Sequence, residues 1–286
     1  MNRFLLQSMF VTDLDGTLLN SDGKLTQTDK NALSELGQLG IVRVIATGRS
    51  LYSFKQAVGN DLPVDYIIFS TGAGIITFPE EHLIRNVQMD PSEVSDAVQT
   101  FLEFDLDFMV HFPIPDNHQF VFHVTDRNNP DFHRRLLRYE AFGQAFDGAH
   151  HQWESASQLL AVVNHDTIDT IWVALQKRLS GYSMIRSTSP LDGLSVWIEV
   201  FSDKVSKSKG VKWLADRLGI HRNQVAAVGN DYNDVDLLEW AGNSFLVANA
   251  PLSLTSRFHS VASHNHGGVS EAVYIWLMEL DYLQHP

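Results

Sequence analysis

Cysteine is absent from the 286-residue chain. Disulfides, zinc-thiolate centres and cysteine nucleophiles are excluded with it. Basic residues are scarce: 21 Lys and Arg stand against 34 Asp and Glu, a formal net charge of −13. Such a surface repels nucleic-acid backbones and anionic membranes within about a Debye length, so neither is expected as a partner. It also repels a phosphate ester, so a phosphate site must supply positive charge locally. Long apolar runs are missing too, since none reaches the roughly 18 residues needed to cross a bilayer. The opening segment, Met1 to Val11, is too short for a signal peptide and lacks a small-residue cleavage site, so a cytoplasmic protein is expected. No internal repeat or low-complexity tract interrupts the chain. What remains is ordinary globular composition, 44% hydrophobic and 19% charged, with length for one large domain or two modest ones.

Apolar runs that end in small polar residues recur at both ends of the chain. Met9 to Thr12 reads as a buried strand followed by Asp13 and Gly16. Thr28 to Leu39 has helical spacing at Ala32, Leu33, Leu36 and Leu39, stopped by Gly40. Ile41 to Ala46 and Tyr66 to Phe69 read as further strands. The first runs into Thr47-Gly48-Arg49 and the second into Ser70-Thr71-Gly72-Ala73-Gly74. Lys209 to Leu218 reads as an amphipathic helix, and Val225 to Val228 as a strand entering Gly229-Asn230-Asp231. Alternating strands and helices with polar clusters past the strands predict an open parallel α/β sheet. Ligands of such sheets bind beyond the carboxyl ends of the strands. The middle alternates less regularly. Strands are expected at Phe108 to His111 and Gln119 to Val124, and helices at Asp131 to Tyr139 and Ile168 to Leu179. We expect an inserted α+β domain over 79–194, with 1–78 and 195–286 forming the α/β core.

The chemistry concentrates past the core strands. Asp13 and Asp15 lie two residues apart, so their side chains start on the same side if strand geometry persists. One carboxylate of such a pair can attack phosphorus and the other can protonate the leaving oxygen. Gly16 permits close backbone approach, and Thr17 adds a hydroxyl and an N–H. Thr47 and Gly48 offer a hydroxyl and successive N–H groups, a cradle for phosphate. Lys207 or Lys209 could supply the point charge that a phosphate needs. Gly229-Asn230-Asp231-Tyr232-Asn233-Asp234 is an oxygen-rich run suited to a hard cation such as Mg2+. His150 with His151, and His264 with His266, have no third ligand nearby and read as surface or loop residues. Trp153, Trp172 and Trp197 read more readily as packed aromatics than as a sugar platform.

Taken in order, Asp13-Leu14-Asp15-Gly16-Thr17, Thr47-Gly48-Arg49, Lys207 and the 229–234 run resemble the motifs of the haloacid dehalogenase superfamily. The spacing is similar to that of the Cof-type branch with its large α/β cap of type IIB. The resemblance implies a Rossmann-like core, a specificity cap and a Mg2+-dependent phosphatase acting on a small phosphorylated metabolite such as a sugar phosphate. It implies Asp13 as nucleophile and Asp15 as general acid and base, with Thr47, Gly48 and Lys207 on the transferring group. The metal would be held by Asp13, the Asp15 carbonyl, and residues among Asn230, Asp231 and Asp234. Three positions depart from the family pattern: Asn230 stands where an aspartate is usual, Ser208 follows Lys207 in place of glycine, and Thr71 replaces an asparagine. Helix register favours Lys207 over Lys209, while Asn230 and Asp231 both remain open as the metal residue. A phosphomutase, or a weakly catalytic phosphate-metabolite binder, are the alternatives, as monomer or homodimer.

Overall fold

The computed structural model describes residues 8–59, 61–148, 151–189 and 191–284, with side chains through residue 280. Most of the Met1 to Val11 segment and His150, discussed above, lie outside the described residues. The chain divides into two compact units, one running to Arg85 and resuming at Ser206, the other spanning Asn86–Val205.

The first unit is built on an eight-stranded sheet. Its strands are β1 (Met9–Thr12), β2 (Val42–Ala46), β3 (Tyr66–Phe69), β4 (Gly74–Thr77), β5 (Leu83–Asn86), β12 (Val225–Gly229), β13 (Asn243–Val247) and β14 (His259–Val261). Their order is β14-β13-β12-β1-β2-β3-β4-β5. The pairs from β14 to β3 are parallel, and β4 returns antiparallel to β3. Parallel strands covered on both faces read as continuous apolar runs, and all four residues of β1 are buried. Alternate β1 side chains serve opposite layers. Met9 and Val11 join a core with Val211, Leu214 and Ala215 of α6 (Lys207–Leu218) and Leu237 of α7 (Val235–Trp240). Phe10 faces the other way, its ring 5.9 Å from Trp276 of α9 (Gly268–Gln284). That helix packs with α1 (Gln27–Gln38). Asp29, fully buried in the first turn of α1, accepts from the Ser270 N–H at 2.8 Å and from the Thr26 hydroxyl at 2.7 Å, tying the two helix starts together.

The second unit holds a six-stranded sheet. Its strands are β6 (Phe108–His111), β7 (Phe120–His123), β8 (Gly143–Ala145), β9 (Gln158–Val163), β10 (Tyr182–Thr188) and β11 (Val196–Ser202), in the order β10-β11-β9-β6-β7-β8. Here α3 (Pro91–Glu103) and α5 (Ile168–Arg178) share a core with Phe108, Leu159 and Val196. Phe132 of α4 (Pro130–Arg138) packs with Met109, Leu160 and Val162, which alternate to the opposite face. The unit boundaries fall later than the expected 78/79 and 194/195. The later one moves because β11 pairs along its length with β10 and over five residues with β9, both belonging to the inserted sheet.

Candidate active site

The candidate catalytic residues gather at the carboxyl ends of β1, β2 and β12. The β1 ladder continues one step beyond the strand, with the Asp13 N–H donating to the Val228 carbonyl at 2.9 Å. Asp13 is therefore held at the centre of the sheet, and it is 4% exposed. Lys207 opens α6, whose N-cap Ser206 accepts from the Lys209 N–H. The Lys207 ammonium is fully enclosed and donates to Asp13 Oδ1 and Asp234 Oδ1, each at 2.6 Å. Burial pushes the Asp13 carboxyl up to about 7, and the Lys207 ammonium opposes that shift. Lys207 itself is raised by Asp13 and Asp234 against the opposing effect of its own burial. One cation shared by two buried carboxylates leaves a net negative pocket, matched to a further cation.

Asp15 faces elsewhere. Both its oxygens are taken by Arg49, from Nε at 2.7 Å and Nη2 at 2.6 Å, and its side chain is half exposed. This bidentate pair joins the first and second motifs across 34 residues, and nothing in the sequence singled it out. Gly16 lies at φ +73°, and a Cβ there would stand 2.6 Å from Asn230 Nδ2. The glycine makes room for that amide. The inner end of the Asn230 side chain lies 3.2 Å from Asp13 Oδ2, from the Asp15 carbonyl oxygen and from Thr17 Oγ1.

The other expected ligands are placed differently. Asp231 Oδ1 accepts from the Tyr232 N–H at 2.8 Å. Asp234 is fully buried: Oδ1 takes Lys207, while Oδ2 accepts from the N–H groups of Asn230 at 2.8 Å and Asp231 at 3.1 Å. Both its oxygens are thus committed to shaping the loop and holding the lysine. Among the described residues no three His, Asp or Glu side chains converge as a metal-holding group. The convergent set is mixed: one carboxylate, one backbone carbonyl and one amide.

Thr47, just past β2, is almost fully buried, and its hydroxyl accepts from the Arg49 N–H at 3.1 Å. Its carbonyl accepts from the Thr71 N–H at 3.0 Å. Thr71 is buried at φ 57°, and its hydroxyl has no hydrogen-bond partner. A Cβ on Gly48 would be 3.6 Å from that oxygen, so the hydroxyl stands beside the Thr47–Gly48 turn. A buried unsatisfied hydroxyl on strained backbone marks a place where a ligand completes the bonding. Of the histidines, His151 pairs with Asp147 at 2.8 Å, His264 with Ser21 at 3.0 Å and His266 with Ser263 at 2.7 Å. Trp197 donates to Asp131 at 2.9 Å.

Similarity to known proteins covers nearly all of this architecture. The family model of haloacid dehalogenase-like hydrolases matches residues 10–273. The phosphatase YwpJ of Bacillus subtilis is 26% identical over 276 residues, covering 91% of this chain and 96% of the relative. An HMP-PP phosphatase of Cronobacter sakazakii is 27% identical over 282 residues, covering 96% and 95%. A solved haloalkanoate-superfamily phosphatase from Bacteroides thetaiotaomicron superposes with a TM-score of 0.74 at 21% identity, covering 96% of this chain and 97% of that one. With the ordered motifs, the sheet and a family match across most of its length, this chain belongs to the haloacid dehalogenase-like hydrolases.

Proposed function

We propose that the chain is a Mg2+-dependent phosphatase that hydrolyses a small phosphorylated metabolite through an aspartyl phosphate on Asp13. The observation that carries this reading is the Asp13 carboxylate, enclosed at the centre of the sheet with Oδ1 on Lys207 and Oδ2 3.2 Å from the Asn230 amide end. The oxygen-only chemistry of that set suits a hard cation. The Asp13 Oδ2 and Asp15 carbonyl oxygens both stand 3.2 Å from the Asn230 amide end. Asp13, the Asp15 carbonyl and Asn230 would hold the ion. Bound there, Mg2+ would supply charge neutralisation for the phosphate and for the charge that develops during transfer.

This chain's residues do the rest. Lys207 opposes the protonation that burial favours at Asp13 and orients its carboxylate. The Asp13 carboxylate attacks phosphorus, and the bond from phosphorus to the leaving oxygen breaks. Asp15 protonates that oxygen. For this it must release at least one of its oxygens from Arg49 and enter the cycle carrying a proton taken from solvent, which the water of the second step restores. Asp15, now ionised, takes a proton from water as the water attacks phosphorus and frees Asp13. Thr47, Gly48 and the Thr71 hydroxyl would receive the transferring group. The unit spanning 86–205 would select the leaving alcohol. A relative that acts as an HMP-PP phosphatase supports a small phosphorylated metabolite as substrate, and a cytoplasmic address accords with the family. The test is Asp13→Asn, which removes the nucleophile. Mg2+-dependent hydrolysis of p-nitrophenyl phosphate is expected to disappear, and full activity in the variant would overturn the reading.

A further inference from the structure

We propose that Asn230 is a metal-responsive amide: with its nitrogen inward it substitutes for the cation, and with its oxygen inward it becomes a ligand. The inference rests on the Mg2+ reading above and extends it to the metal-free protein. The two ends of a carboxamide are nearly isosteric, and their orientation follows from the groups they face. The inner end of Asn230 faces Asp13 Oδ2, the Asp15 carbonyl and Thr17 Oγ1, each at 3.2 Å. The first two can only accept. With oxygen inward, Thr17 Oγ1 donates to Asn230 Oδ1 at 3.2 Å, and the other two contacts set oxygen against oxygen. That arrangement is stable when a cation lies among the three. With nitrogen inward, the two N–H donors of the amide face these oxygens at 3.2 Å, enough to serve both groups that can only accept.

The surroundings suit such a rotation. The Asn230 backbone is pinned by its N–H to Asp234 Oδ2 at 2.8 Å, so the amide can turn about its own torsions while the main chain stays. The outer end lies over Gly16, where no side chain obstructs it. Lys207 already covers Asp13 Oδ1, and the amide covers the remaining oxygen. An aspartate at 230 could serve only the metal-bound state. Without metal it would place a second anion 3.2 Å from Asp13 Oδ2. The asparagine therefore exchanges some metal affinity for a site that stays satisfied when empty.

Two measurements on the full chain test this, both with Mg2+ alone and no substrate. Thermal unfolding in EDTA and in Mg2+ should differ less for the native protein than for Asn230→Asp. Asn230→Asp should melt several degrees lower in EDTA and recover with Mg2+. Equal Tm values for the two proteins in EDTA, or a chelation loss in the native protein as large as in the variant, would overturn the proposal. Should the variant fail to fold, the native protein still decides. Its Asn230 side-chain NH2 resonances should shift on Mg2+ addition, and unchanged resonances at saturating Mg2+ would overturn the toggle. Phosphatase activity is assayed separately. Resonance shifts without hydrolysis would leave the toggle standing and remove the functional reading, and hydrolysis without shifts would do the reverse.

Discussion

Lys207 is a buried cation that donates to two buried carboxylates, so its removal strands both. Breaking a buried pair of this kind costs about 3–5 kcal/mol, because an uncompensated charge remains. Lys207→Met should lower the unfolding free energy by an amount in that range and abolish phosphate release, with equilibrium urea unfolding as the check. An unfolding free energy within about 1 kcal/mol of the native value would mean that removing the ammonium leaves no costly buried charge behind. At this scale the sequence was legible where a motif and a helix register coincide. Asp13 follows a strand, and Lys207 was preferred over Lys209 because Val211 and Leu214 then face the core. Two features were hidden. Asp234 looks like a metal ligand in the 229–234 run, but the loop curls so that its carboxylate captures two backbone N–H groups and the lysine. Arg49 sits 34 residues from its partner Asp15, and no local pattern encodes that pairing.

Among the elements, β6 carries a test of the inserted unit. Its last residue, His111, is buried, with Nδ1 against the Asn117 carbonyl at 2.9 Å and Nε2 without a partner. Burial and then the Arg135 charge lower its pKa to about 3. An imidazole in the unfolded chain titrates near 6.5. As pH falls below that value the unfolded chain binds a proton that the folded chain refuses, so stability drops with acid by up to about 1.4 kcal/mol per pH unit. The loss continues until the folded pKa near 3 is reached. His111→Gln should flatten this limb, measured as the urea midpoint of the unit's unfolding between about pH 6.5 and 4.5. Strands β1, β3 and β6 were legible because compact apolar runs end in clear turn residues. The sheet edge of the inserted unit was not. All but the last of the β10 residues are half-buried, so no apolar alternation marks the strand, and Val196 to Ser202 gives no sign from its own composition that it pairs with β9 and β10. That pairing is why the later unit boundary was expected eleven residues too early.

For the molecule as a whole, the net charge of −13 opposes the approach of a dianionic ester. Raising ionic strength from about 0.01 to about 0.15 M shortens the screening length from about 30 to about 8 Å. The kcat/KM for an aryl phosphate should therefore rise over that range at saturating Mg2+. A fall would mean that the local field of the phosphate cradle outweighs that of the surface. The α/β class and the presence of an insertion were legible from the spacing of motifs, since polar clusters past strands recur only before Pro79 and after Leu194.

The place of β12 in the sheet has a consequence for how the protein is made. It lies beside β1, yet its register begins at Val225 opposite Met9. On the ribosome, at about 5–20 residues per second, β1 waits on the order of ten to forty seconds with one edge unpaired. The stretch from Asn86 to Val205, continuous in the chain, can close its own sheet in that interval. The half that bears the nucleophile is thus born first and completed last, and its exposed edge is where a chaperone would be needed.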